Sequence, residues 1–161
     1  MKNVLFVCDG NSARSIMAEA ILNREGRGRF QAYSGGSQPV GTVNPLVLEY
    51  LRSQGLSPEG ARSKDWHEFA GEDAPPLDFV FLLCDEAARE KLPAFAGKPM
   101  TAHWGVEDPA PYWDQPEKAR HLVREAFHAL HRRISLFTNL PLEKLDKLAL
   151  QQRLEAIGET A

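Results

Sequence analysis

The chain has little thiol chemistry to offer: 161 residues carry two cysteines, Cys8 and Cys84, with no C-x-x-C pair and no metal-ligand spacing around either. In a reducing compartment a standing structural disulfide is not expected, so each thiol is either apolar filler or a reactive group. An excess of positive charge is also missing. A net charge of −3 argues against broad binding to nucleic acid or anionic membrane, both of which need a basic face. No apolar run approaches membrane-spanning length, and no basic stretch followed by a long apolar one stands at the start, so the chain reads as cytoplasmic by default. Internal repeats and low-complexity linkers are absent. "AGEDAPP" (70–76) is too short to divide the chain, and residues 1–161 read as one domain.

What is present is an alternation of strand-like and helix-like segments. Val4 to Val7 form an unbroken apolar run, as in a central strand covered on both faces. From Ser15 a helical stripe (Ile16, Met17, Ala20, Ile21) follows and stops near Gly26 and Gly28. Further strands are expected at 30–34, 77–84 and 99–104. Helices are expected from Asn44-Pro45 to Gly55, from about Glu117 to Phe137, and from about 142 to 158. This order predicts an α/β fold of three layers: a mostly parallel four-stranded sheet, helices on both faces, and an extra C-terminal helix. Ligands bind such sheets beyond the carboxyl ends of the strands, where both cysteines fall.

The stretch "CDGNSARS" joins the first strand to the first helix. Backbone N–H groups of residues 9–14 (Asp9, Gly10, Asn11, Ser12, Ala13, Arg14), curling into a helix N-terminus, would form an anion seat. Gly10 permits positive φ and close backbone approach, and Asn11 tolerates the left-handed region better than most residues. Arg14 can offer parallel N–H donors to a tetrahedral oxyanion. The same partial positive charges favour the thiolate of Cys8, and Ser15 could donate a further hydrogen bond to its sulfur. Cys8 would then be a nucleophile aimed at the central atom of the anion. Asp9 is discordant, because a carboxylate there repels an anion; it is expected to face solvent, where screening blunts the effect. Asp108, in the loop "GVEDPAP" after the fourth strand, could act as general acid, with Pro109 stiffening its presentation.

"FVCDGNSARSIMAEAIL" resembles the signature loop of low-molecular-weight protein tyrosine phosphatases and of the arsenate reductases that share their fold. The resemblance runs through "AYSGGS", "LDFVFLLCDEAA" and "MTAHWGVEDPA" to about Phe137. It implies catalytic roles for Cys8, Arg14 and Asp108 in either branch. The phosphatase branch usually has proline after the Arg-Ser pair and tyrosines directly after Asp-Pro. Here "RSIMAE" and "EDPA" stand in those places, although Tyr112 and Trp113 follow soon after. The reductase branch carries a second cysteine at the place of Cys84, which implies arsenate reduction to arsenite through a Cys8 adduct, with Cys84 as resolving thiol. No cofactor is required on this reading beyond an external thiol reductant, thioredoxin or glutathione with glutaredoxin. Phosphate-monoester hydrolysis and non-catalytic oxyanion binding are the alternatives.

One departure is plain: the third cysteine of thioredoxin-coupled reductases is missing, and residues near Leu92 take its place. The resemblance further implies a potassium site behind the loop at Asn11, Ser34, Ser63 and Asp65, all oxygen ligands suited to a hard cation. His103 and Trp104 are expected to support the acid loop, and "HALHRR" (128–133) to be a solvated helix face.

Overall fold

In the computed structural model, which describes residues 1–85 and 91–160, four parallel strands pair in the order β2-β1-β3-β4. They are β1 (Lys2–Cys8), β2 (Phe30–Gly36), β3 (Leu77–Leu82) and β4 (Gly97–His103). The described α-helices are α1 (Arg14–Glu25), α2 (Pro45–Ser53), α3 (Pro116–Thr138) and α4 (Lys147–Gly158). No described helix is long and apolar enough to cross a membrane.

The central position of β1 follows from its composition: Val4 through Val7 are each fully buried, and a strand with no polar side can only be sandwiched. Its register, Phe6 opposite Ser34 and Phe81, sorts the side chains into two layers. Phe6, Phe81 and Trp104 cluster on the face covered by α1 and α3, where Phe81 stacks on Trp104 at 3.8 Å and Phe137 of α3 meets both rings edge-on. On the opposite face Tyr33 packs against Phe69, and Trp66 against Phe95. Among the described residues this second layer is a 3-10 turn, Trp66–Phe69, rather than an α-helix.

The last helix differs from expectation. It is split into a 3-10 turn at Leu142–Lys144 and α4 from Lys147, because Asp146 caps α4 by accepting the Ala149 N–H. Helix α4 then covers the outer edge of the sheet. Gln151 donates to the Thr101 carbonyl of β4, the Trp104 indole donates to the Leu154 carbonyl, and a Cβ on Gly158 would collide with the His103 carbonyl. A strand edge that would otherwise template pairing is thereby sealed. Arg133 is a correction to the solvated face at 128–133: it is buried and donates to the carbonyls of Trp104, Gly105 and Thr160, tying α3 to β4 and the tail of α4.

Leu154 is fully buried under this cover. Leu154→Ala is expected to lower unfolding free energy by about 3 kcal/mol in urea titrations. A loss below about 1 kcal/mol would show that α4 does not hold the edge.

Candidate active site

The loop between β1 and α1 owes its shape to what lies beneath and beside it. The segment after β2 runs alongside, with Ser37, Gln38, Val40 and Asn44 donating backbone N–H bonds to the carbonyls of Cys8, Asp9, Gly10 and Ser12. Because a trans peptide sets each N–H opposite the preceding carbonyl, the amides of residues 9, 10, 11 and 13 point the other way, toward the cavity. Gly36 allows this proximity; a Cβ there would stand 2.5 Å from the Asp9 carbonyl oxygen and 3.0 Å from the Asn11 Cβ. The left-handed position of the loop falls on Asn11 (φ 48°), a residue type that tolerates it.

Asn11 is fully buried and its amide bridges two strata of the site. Its Oδ1 accepts the Lys64 backbone N–H at 2.8 Å, and its Nδ2 donates to Ser15 Oγ at 2.7 Å. The Ser15 hydroxyl is in turn hydrogen-bonded to Cys8 Sγ, 3.0 Å away, and has a proton to offer the sulfur. A relay thus runs from the backbone of Lys64 through Asn11 and Ser15 to the sulfur. It was legible in the sequence only at its last step.

Arg14 is almost wholly buried, its side chain 5% exposed. Its Nη1 donates to the carbonyls of Val106 (3.0 Å) and Leu83 (3.4 Å), fixing the guanidinium between the ends of β3 and β4. Its Nη2 meets two carboxylates, Asp9 Oδ1 at 3.0 Å and Asp108 Oδ2 at 3.2 Å. Asp108 is further oriented by accepting the Ala110 N–H at 3.0 Å. Asp9 therefore does not simply face solvent. Cys8, residues 9–13, Arg14, Gln38, Val40, Asp108 and Ala110 line one cavity of about 210 Å³. Gln38 and Val40 were not anticipated; the Gly-Gly pair ending β2 was the signal that the next segment comes close.

Cys84 is placed differently. The Leu83 N–H extends the β1–β3 ladder to the Val7 carbonyl, so Cys84 follows at the strand end beside Cys8. It is buried, lies outside the residues lining the cavity, and forms no disulfide with Cys8. Leu92, at the place of the missing third thiol, packs partly buried against the core. Part of the stretch between them, residues 86–90, lies outside the described residues.

Each of the side chains expected to hold potassium has a protein partner. Ser63 donates to the Gly10 carbonyl and accepts the Gly41 N–H. Asp65 accepts from His67, which draws its carboxyl below the usual value, and Asn11 is engaged as described. Ser34 donates to Glu19 Oε2 at 2.6 Å and accepts from the Lys64 ammonium at 3.0 Å. A buried side-chain cation, Lys64, thus stands behind the loop, 3.8 Å from Glu19. Neither Lys64 nor Glu19 was singled out from sequence, because nothing in a lone Lys or Glu signals burial. Burial pushes the Glu19 carboxyl up and the Lys64 ammonium down, and their mutual attraction opposes both shifts.

Strand ends, loop amides, a buried guanidinium and a hydrogen-bonded thiol thus meet around one cavity at the carboxyl edge of a parallel α/β sheet. The sequence model of the low molecular weight phosphotyrosine protein phosphatase family matches residues 3–147, and the chain belongs to that family. It is 33% identical over 109 residues to an arsenate reductase of Shouchella clausii, covering 68% of this chain and 75% of that one. It is 29% identical over 133 residues to arsenate reductase 2 of Staphylococcus epidermidis, covering 82% and 98%. The solved structure of an arsenate reductase in its phosphate-binding state superposes with a TM-score of 0.63 at 27% identity, covering 84% of this chain and 98% of that one.

Two outcomes follow. Ser15→Ala should slow alkylation of Cys8 by iodoacetamide at neutral pH by about tenfold, the loss of one charge-assisted hydrogen bond; an unchanged rate would remove Ser15 from the relay. Lys64→Met should cost about 3 kcal/mol by leaving Glu19 buried and unpaired, and adding Glu19→Gln should recover much of it. The sign is fixed by the two shifts: Glu19's raised value gives stability present below its ordinary 4.5 and lost as pH rises, while Lys64's lowered value gives stability present above 10.5 and lost as pH falls.

Proposed function

We propose that the protein is an arsenate reductase. The observation that carries this reading is the convergence of Cys8, Arg14 and Asp108 on one cavity, in a chain whose curated relatives are arsenate reductases. Arsenate would sit among the loop amides with Arg14 balancing its charge, and the Cys8 thiolate would attack arsenic(V). Asp108 would give a proton to the departing oxygen, which leaves as water. Cys84, as thiolate, would then attack the sulfur of the Cys8–arsenic adduct. The sulfur–sulfur bond forms as the sulfur–arsenic bond breaks, and the two electrons of that bond leave with arsenic as arsenite. An external dithiol, thioredoxin or glutaredoxin with glutathione, would reopen the disulfide; the chain has no third cysteine to pass it outward.

Cys84 is buried and lies outside the residues lining the cavity. The same observation favours a second reading, hydrolysis of phosphate monoesters, which uses Cys8, Arg14 and Asp108 and leaves Cys84 as core. Cys84→Ser separates them. Under the first reading it should abolish arsenate turnover, by at least about a hundredfold, while leaving any p-nitrophenyl phosphate hydrolysis intact. Assays with thioredoxin and glutaredoxin supplied separately identify the reductant. Retained arsenate turnover in the variant would overturn the role of Cys84.

A further inference from the structure

Two carboxylates share one guanidinium in this site, and only one of them has a part in the chemistry. Asp108 comes from the loop after β4 and is positioned to handle a proton. Asp9 sits in the anion-binding loop itself. Its Oδ1 accepts from the Gly10 N–H at 2.7 Å and from Arg14 Nη2 at 3.0 Å. One loop amide and one guanidinium nitrogen are the donors through which an oxyanion would be held, and a single carboxylate oxygen already bridges them. Asp9 is also more than one-third exposed, so it can swing away without disturbing the core.

Arg14 does not depend on Asp9 for its position. Its Nη1 is anchored by the Leu83 and Val106 carbonyls, and its side chain is packed almost entirely out of solvent. The Asp9 carboxylate is therefore a poor candidate for a purely structural clamp. Its effect is electrostatic: it sets a negative charge at the mouth of a seat that holds one positive group, Arg14.

We propose that Asp9 is a specificity-determining residue, an internal carboxylate that competes with incoming oxyanions for Arg14 and Gly10 and disfavours them more strongly the higher their charge. Displaced by a bound anion, it remains next in sequence to Cys8 and opposes that anion's charge; a doubly charged anion feels about twice the repulsion of a singly charged one. The seat is thereby biased toward singly charged tetrahedral anions. This rests on reading the cavity as an oxyanion seat and is independent of the redox role of Cys84.

Sulfate and perrhenate, tetrahedral anions of charge two and one, test it at one pH by isothermal titration on the wild type, Asp9→Asn and Asp9→Thr. Asp9→Asn keeps size and removes charge; it should tighten sulfate about tenfold, equivalent to about 1.4 kcal/mol, and perrhenate by about threefold. Asp9→Thr should tighten sulfate in the same direction. Damage to the fold would weaken binding, so tightening has no merely structural explanation. Equal affinities across the three proteins, equal gains for both anions, or weaker sulfate binding in both variants would overturn the inference. Failure of either anion to bind any of the proteins would overturn the seat itself and this inference with it.

Discussion

A positive charge taken out of water must be compensated, and the geometry of this protein is arranged around one such charge. The Arg14 guanidinium lies between the ends of β3 and β4, held by backbone carbonyls of Leu83 and Val106. Backbone carbonyls fix direction without neutralising charge, so anionic partners are needed as well, and Asp9 and Asp108 are both drawn to Nη2. Strand order makes this feasible. With β1 between β2 and β3, the loop carrying Arg14 emerges next to the ends of both β3 and β4, and the acid loop folds over the same spot.

The sulfur is governed by a different kind of constraint. Ser15 is hydrogen-bonded to Cys8, Asn11 donates to Ser15, and Asn11 is aimed because its oxygen is taken by the Lys64 backbone. Each member is positioned by the one before it, from the far end to the sulfur. That far end is also where the Lys64 ammonium is buried against Ser34 and Glu19. Stability of the loop and placement of the sulfur are therefore coupled through residues outside the cavity lining.

Much of this was legible in the sequence where the signal was local. The unbroken run Val4–Val7 placed β1 at the centre of the sheet, Asn44-Pro45 marked the start of α2, and the Cys8–Ser15 loop was recognisable from residue types alone. What escaped was non-local. Arg133 looks like any solvated helical arginine until the carbonyls of residues 104, 105 and 160 are brought to it. Lys64 and Glu19 are 45 positions apart and meet only because β2 carries Ser34 between them. The break before α4 was local, but the periodicity of Leu145, Ala149 and Leu154 concealed it, and the Asp146 cap outweighs that pattern.

The arrangement of the two thiols limits how the proposed redox cycle would be built. Cys8 is fixed by its hydrogen bond to Ser15 and by the carbonyl-to-amide bonds that hold its loop in place. Any approach between the sulfurs must therefore come mainly from the Cys84 side. There the β3 ladder ends at Leu83, whose N–H still bonds to Val7 and whose carbonyl accepts from Arg14. Cys84 is the first residue beyond that anchor, and Asp85 next to it is tied to His103 by a 3.2 Å contact at an exposed site, where such a pair contributes little. Movement of the second thiol thus needs no strand to unpair.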